Sequence, residues 1–120
     1  MARPSRISSG YTEGMYKVTV YVPVANADEM RRVIGEVGGG KVGNYSHASF
    51  SVKGTGRFRP EGGAQPTVGK VGKIEEVEEE CIEFVCSDEA LQGVLKAVRE
   101  VHPYEEPAID VWRLADIPEG

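Results

Sequence analysis

Apolar and polar residues alternate without a break from Tyr16 to Val22. Tyr16, Val18, Val20 and Val22 fall on one side and Lys17, Thr19 and Tyr21 on the other, the pattern of a half-buried strand that Pro23 ends. The period then changes. Met30, Val33, Ile34 and Val37 recur at i, i+3, i+4 and i+7, so a helix follows with one apolar stripe. Asn26, three residues ahead of Glu29, is placed to form a capping box at its start. Gly38-Gly39-Gly40 stops the helix, because glycine enters the left-handed C-cap conformation at little cost. Alternation returns from Ser46 to Lys53, with Ala48, Phe50 and Val52 expected inward and His47, Ser49, Ser51 and Lys53 outward. A third strand is expected over Glu78–Cys86, with Glu80, Ile82, Phe84 and Cys86 on one face and Cys81, Glu83 and Val85 on the other. The glutamates at its start must be solvated or paired. Ser87 or Asp88 caps a second helix striped by Leu91, Val94, Leu95, Val98 and Val101, which Pro103 closes. The last strand is expected over Ala108–Leu114. The order β-α-β-β-α-β gives an α+β fold, a ferredoxin-like sandwich with both helices on one face of an antiparallel sheet.

Such a sandwich leaves one sheet face uncovered. Tyr21, Val85 and Trp112 or Val111 make part of that face unsuited to bulk water, which points to subunit packing, with a trimer favoured and a dimer still open. At 120 residues the chain is read as a flexible tail over 1–14 followed by a single domain over 15–120. The formal net charge of −5 and the scattering of 14 basic residues give no footprint for nucleic acid. No apolar run is long enough to cross a bilayer, and Met1–Arg6 lacks the apolar stretch of a signal peptide, so a cytoplasmic location is expected. Cys81 and Cys86 are five residues apart on one strand and therefore on opposite faces. They read as free thiols rather than a disulfide or a zinc pair.

Three segments stand outside the core pattern. Gly43-Asn44-Tyr45-Ser46-His47 and His102-Pro103-Tyr104-Glu105-Glu106-Pro107 hold both histidines. Residues 54–73 carry six glycines and two prolines, with Arg57, Phe58 and Arg59 among them. A stretch of that length reads as a functional or interface loop. Phe58 is expected to anchor it on a neighbouring subunit, and Arg57 and Arg59 to meet carboxylates across the interface. His47 and His102 with a glutamate would suit a divalent transition metal. The plainer alternative has His102 at the dipole of its helix terminus and His47 bonded to the turn around Asn44. Tyr104-Glu105-Glu106 resembles an acid/base cluster, yet neighbouring residues of an extended segment point to opposite sides, so only one carboxylate can serve a given pocket.

Together these segments, including Gly54-Thr55-Gly56-Arg57-Phe58-Arg59-Pro60, resemble in order the central inserted domain of the Nif-three-like dinuclear-metal-centre proteins, over about residues 16–114. The resemblance implies a ferredoxin-like domain similar to the trimeric CutA and PII signalling proteins. It also implies a stand-alone version of the insert, of the YqfO-like kind, without the flanking segments that hold the family's metal ligands. The expectation is a non-catalytic oligomer that binds a small ligand, a metal or a protein at its subunit boundaries. Asn44, Tyr45, His47, Arg57, Phe58, Arg59, His102, Tyr104 and Glu105 are the candidate residues. The alternatives are a small metal-dependent enzyme using His47, His102 and a glutamate, and a pure assembly module.

Overall fold

The computed structural model describes residues 14–116. The tail expected over 1–14 therefore lies, but for Gly14, outside the described residues. Strand β1 (Met15–Pro23) leads through one 3-10 turn (Val24–Asn26) into helix α1 (Ala27–Glu36). Strands β2 (Phe50–Phe58) and β3 (Glu75–Ser87) form a long hairpin, and helix α2 (Asp88–Val101) leads to β4 (Ala108–Leu114). The sheet order is β2-β3-β1-β4 with every pair antiparallel, the ferredoxin-like arrangement.

The alternation read along β1 and β3 is the one observed. Val18, Val20 and Val22 are buried with Ile82, Phe84 and Cys86 against Ala27, Met30 and Ile34 of α1 and Val94 and Val98 of α2. Glu80 faces the same way and is 6% exposed. It is paired, as a buried carboxylate must be. Arg31 reaches down from α1 and donates to Glu80 Oε1 at 2.5 Å, to Ser51 Oγ at 2.9 Å and to Asp28 Oδ1 at 2.6 Å. This guanidinium ties the helix layer to two strands at once.

The end of α1 is a complete Schellman motif. Gly39 N–H bonds to the Ile34 carbonyl at 2.8 Å and Gly38 N–H to that of Gly35 at 3.3 Å, with Gly38 at φ +106°. At its start the expected capping box is absent, since Asn26 makes no side-chain cap. The 3-10 turn already feeds α1, with Ala27 N–H bonded to the Val24 carbonyl. Ser87 does cap α2, accepting from Ala90 N–H at 3.2 Å.

The largest departure is at β2. Its pairing places Phe50 opposite Glu83, Ser51 opposite Ile82 and Val52 opposite Cys81. Ser51 thus turns toward the helices, while Phe50 and Val52 lie on the uncovered face, 65% and 53% exposed. Gly54–Phe58, expected in a loop, continue the strand opposite Glu75–Glu79. An edge strand tolerates two glycines here because the 13-residue β3 supplies the ladder. Among the described residues no helix is long and apolar enough to cross a membrane.

Candidate functional site

The two histidine segments sit at opposite ends of the sheet. His47 belongs to the connection before β2 rather than to a strand, with φ +61°. Its ring lies over Gly35, where an added Cβ would come within 2.0 Å of Cδ2. Nδ1 is 2.9 Å from Ser46 Oγ, not bonded to the turn around Asn44. That turn is closed by reciprocal bonds between Val42 and Tyr45 and leaves Asn44 and Tyr45 exposed. The connection is pinned to the sheet at Val85, whose carbonyl accepts from Gly40 N–H at 2.7 Å.

His102 is at the other end and only 7% exposed. Nδ1 accepts from Tyr104 N–H at 3.1 Å, so the proton sits on Nε2, which donates to the Tyr21 carbonyl at 2.7 Å. Both ring nitrogens are thereby engaged. Among the described residues no three His, Cys, Asp or Glu side chains converge as metal ligands. Within one chain, then, the metal pair His47 and His102 is not assembled. Six residue steps along β3, from Val85 to Glu79, separate the two ends by roughly 20 Å.

Burial also lowers the His102 pKa from its ordinary 6.5, against smaller raising effects of the Tyr21 carbonyl and Glu79. The folded-state value lies below the unfolded one, so the unfolded chain binds more protons through this window. Stability is therefore present in full above about pH 6.5 and is lost as pH falls through the folded-state pKa. Urea unfolding midpoints are expected to drop between about pH 7.5 and pH 5.5. In His102→Gln that drop should shrink; an unchanged slope would assign it to another group.

Around this end the chain builds a cavity of about 550 Å³. Arg57, Phe58, Arg59, Tyr104 and Glu105 all line it, so five of the nine candidate residues meet here. Tyr104 is the organiser. Its ring stacks at a tilt on Phe58, 5.6 Å between centroids, and on His102 at 5.1 Å. Its hydroxyl donates to Glu79 Oε2 at 2.8 Å, and burial followed by this bond pushes the phenol pKa up. Glu105 Oε1 accepts from Gln65 N–H at 3.0 Å, tying the long connection back to the segment after α2. Phe58 is thus used inside its own chain. So are the arginines, since Arg57 pairs with Glu76 and Arg59 with Glu61, both at 2.9 Å.

Glu79 and Tyr21 were not among the candidates. Glu79 is one of six glutamates between 75 and 83, where each reads as solvated, and Tyr21 reads as an ordinary strand residue. The available signal was the glycine opposite. Gly54 pairs with Glu79, and the bare backbone of Gly56 beside it leaves room for the Glu79 carboxylate, which a Cβ there would meet at 2.2 Å. A second cavity of about 300 Å³, lined by Val52, Gly54 and Cys81, shares Tyr21, Gly56 and Glu79 with the first. It opens the site onto the uncovered sheet face.

Over 105 residues the chain is 45% identical to the GTP cyclohydrolase 1 type 2 homolog of Halalkalibacterium halodurans, a match that takes in 88% of this chain. A Bacillus cereus protein related to NIF3 superposes with a TM-score of 0.77 at 44% identity, covering 88% of this chain and 27% of that one. This chain is homologous to one segment of the NIF3-related proteins. It spans only about 28% of the length of the curated relative. CutA1 of Pyrococcus horikoshii covers 87% of both chains with a TM-score of 0.62 at 18% identity, which shows the shared fold alone. No protein-family model matches the chain. The CutA-like fold of a NIF3-type segment, expected from the three motifs, is the one found.

Proposed function

We propose that this chain is a non-catalytic, cytoplasmic domain that assembles with its own copies, as a trimer, and takes a small ligand at the subunit boundaries. The observation that carries the reading is the uncovered sheet face. Tyr21, Phe50, Val52 and Trp112 all project from it and are 36%, 65%, 53% and 50% exposed. Four large apolar side chains on one flat surface are costly to leave in water, at about 25 cal/mol for each Å² of apolar area. Thr19 lies between them, 3% exposed, and its hydroxyl is the buried side-chain oxygen without a hydrogen-bond partner among the described residues. A second copy would cover the apolar groups and offer that hydroxyl a partner.

The cavity supports the ligand half of the reading. Tyr21 belongs both to the exposed face and to the cavity wall, so a subunit packed on the face would form the rim of the site. Sedimentation velocity on Phe50→Glu tests the assembly. A carboxylate within an apolar interface should reduce the sedimenting mass about threefold to that of one chain, with the far-ultraviolet spectrum unchanged. An unaltered mass would remove this face from the interface.

A further inference from the structure

Glu79 is the most telling group in the cavity. Only 9% of the residue is exposed, and one tyrosine hydroxyl is its hydrogen-bond donor. Oε1 has no hydrogen-bond partner among the described residues. It rests over the bare backbone of Gly56 on the side where the two cavities join. A carboxylate held largely out of water gains from a partner charge. Among the described residues no cation pairs with Glu79. The two guanidiniums on the lining are held by Glu76 and Glu61, while Glu79, Glu105 and Glu106 form no ion pair among the described residues. The site therefore carries a surplus of negative charge despite its arginines.

The walls narrow the choice of cation. Phe58, Tyr104 and Tyr21 present rings, and Pro60, Ala64, Pro66, Val68 and Ala108 add apolar wall beside the charged groups. Among the described residues the carboxylates do not converge as a metal-ligand set, whereas a flat apolar body would lie against the rings and apolar wall. A cation close to aromatic faces also gains from their quadrupoles.

We infer that the cavity takes an organic amine, with its ammonium on Glu79 and its apolar body against the Phe58–Tyr104 ring pair. This rests on the reading of the cavity as the ligand site. The test uses two probes of the same ring and opposite charge, tryptamine and indole-3-acetate, titrated calorimetrically into the full chain. Tryptamine should bind at least about tenfold more tightly than the acetate, and Glu79→Gln should erase that preference while leaving the oligomer mass unchanged. Gly56→Ala gives an independent check, because the added methyl displaces the Glu79 carboxylate and should weaken tryptamine in the same way. Equal binding of the two probes, tighter binding of the acetate, no binding of tryptamine, or a preference that survives Glu79→Gln would each overturn the proposal. The two readings fail separately. A monomer that still holds tryptamine through Glu79 keeps this inference and loses the subunit boundary; an oligomer indifferent to tryptamine does the reverse.

Discussion

Gly40→Ala is expected to cost about 3 kcal/mol or more of folding stability, read from urea unfolding. Two penalties coincide at this position. Its φ of +80° is a conformation that L side chains rarely adopt, which alone costs about 1–2 kcal/mol. A Cβ would also stand 2.3 Å from the Ala48 carbonyl oxygen and 2.7 Å from its nitrogen. Those are backbone atoms and cannot swing aside. The same residue bonds to Val85 on one side, and its carbonyl accepts from Ala48 N–H at 2.9 Å on the other, so relief would loosen the anchor of the whole connection. Gly43→Ala separates the two penalties, since Gly43 has φ +56° with nothing within 4 Å of the added methyl. It should cost only the conformational part. Equal losses at both positions would refute the backbone clamp.

Arg31→Met is expected to destabilise the fold by about 3 kcal/mol. Removing the guanidinium strands the Glu80 carboxylate, whose side chain is 8% exposed, and leaves Ser51 Oγ without its donor. The partial exposure of Arg31, at 29%, keeps the figure at the lower end for a buried pair. Arg31→Met combined with Glu80→Met should recover most of the loss, because two apolar side chains of similar length replace a charged pair. A double-mutant cycle reads the coupling directly. Additive losses would mean that the pair is an incidental contact and that the helix layer is held by its apolar stripe alone.

Legibility from the sequence tracked how local the deciding forces were. The faces of β1 and β3 could be read because each alternates apolar and polar residues, and the core needs only that alternation. The phase of β2 could not. Ala48, Phe50 and Val52 look like a core stripe, but β2 is an edge strand whose register is set by β3, and that register turns Ser51 inward to meet Arg31. Gly54 and Gly56 read as loop residues for the same reason. The lack of a side chain at Gly56 makes room for Glu79, a contact 23 residues further along the chain. Arg31 and Glu80, 49 residues apart, leave no spacing signal at all.

The candidate site was half legible. Clusters of arginine, aromatic and carboxylate residues marked Arg57–Arg59 and Tyr104–Glu105 as unlike core, and the fold brings them to one cavity. Asn44, Tyr45 and His47 read as equally unlike core, yet Asn44 and Tyr45 belong to a tight turn at the far end of the sheet and His47 follows it. Composition identifies a segment with a special task, whereas topology decides which segments share it.

Native mass spectrometry of the wild-type chain, purified without added metal or chelator, tests the central claim most directly. The account predicts a species at three times the 13.0 kDa chain mass. A monomer at micromolar concentration, with Tyr21, Phe50, Val52 and Trp112 left in water, would contradict it.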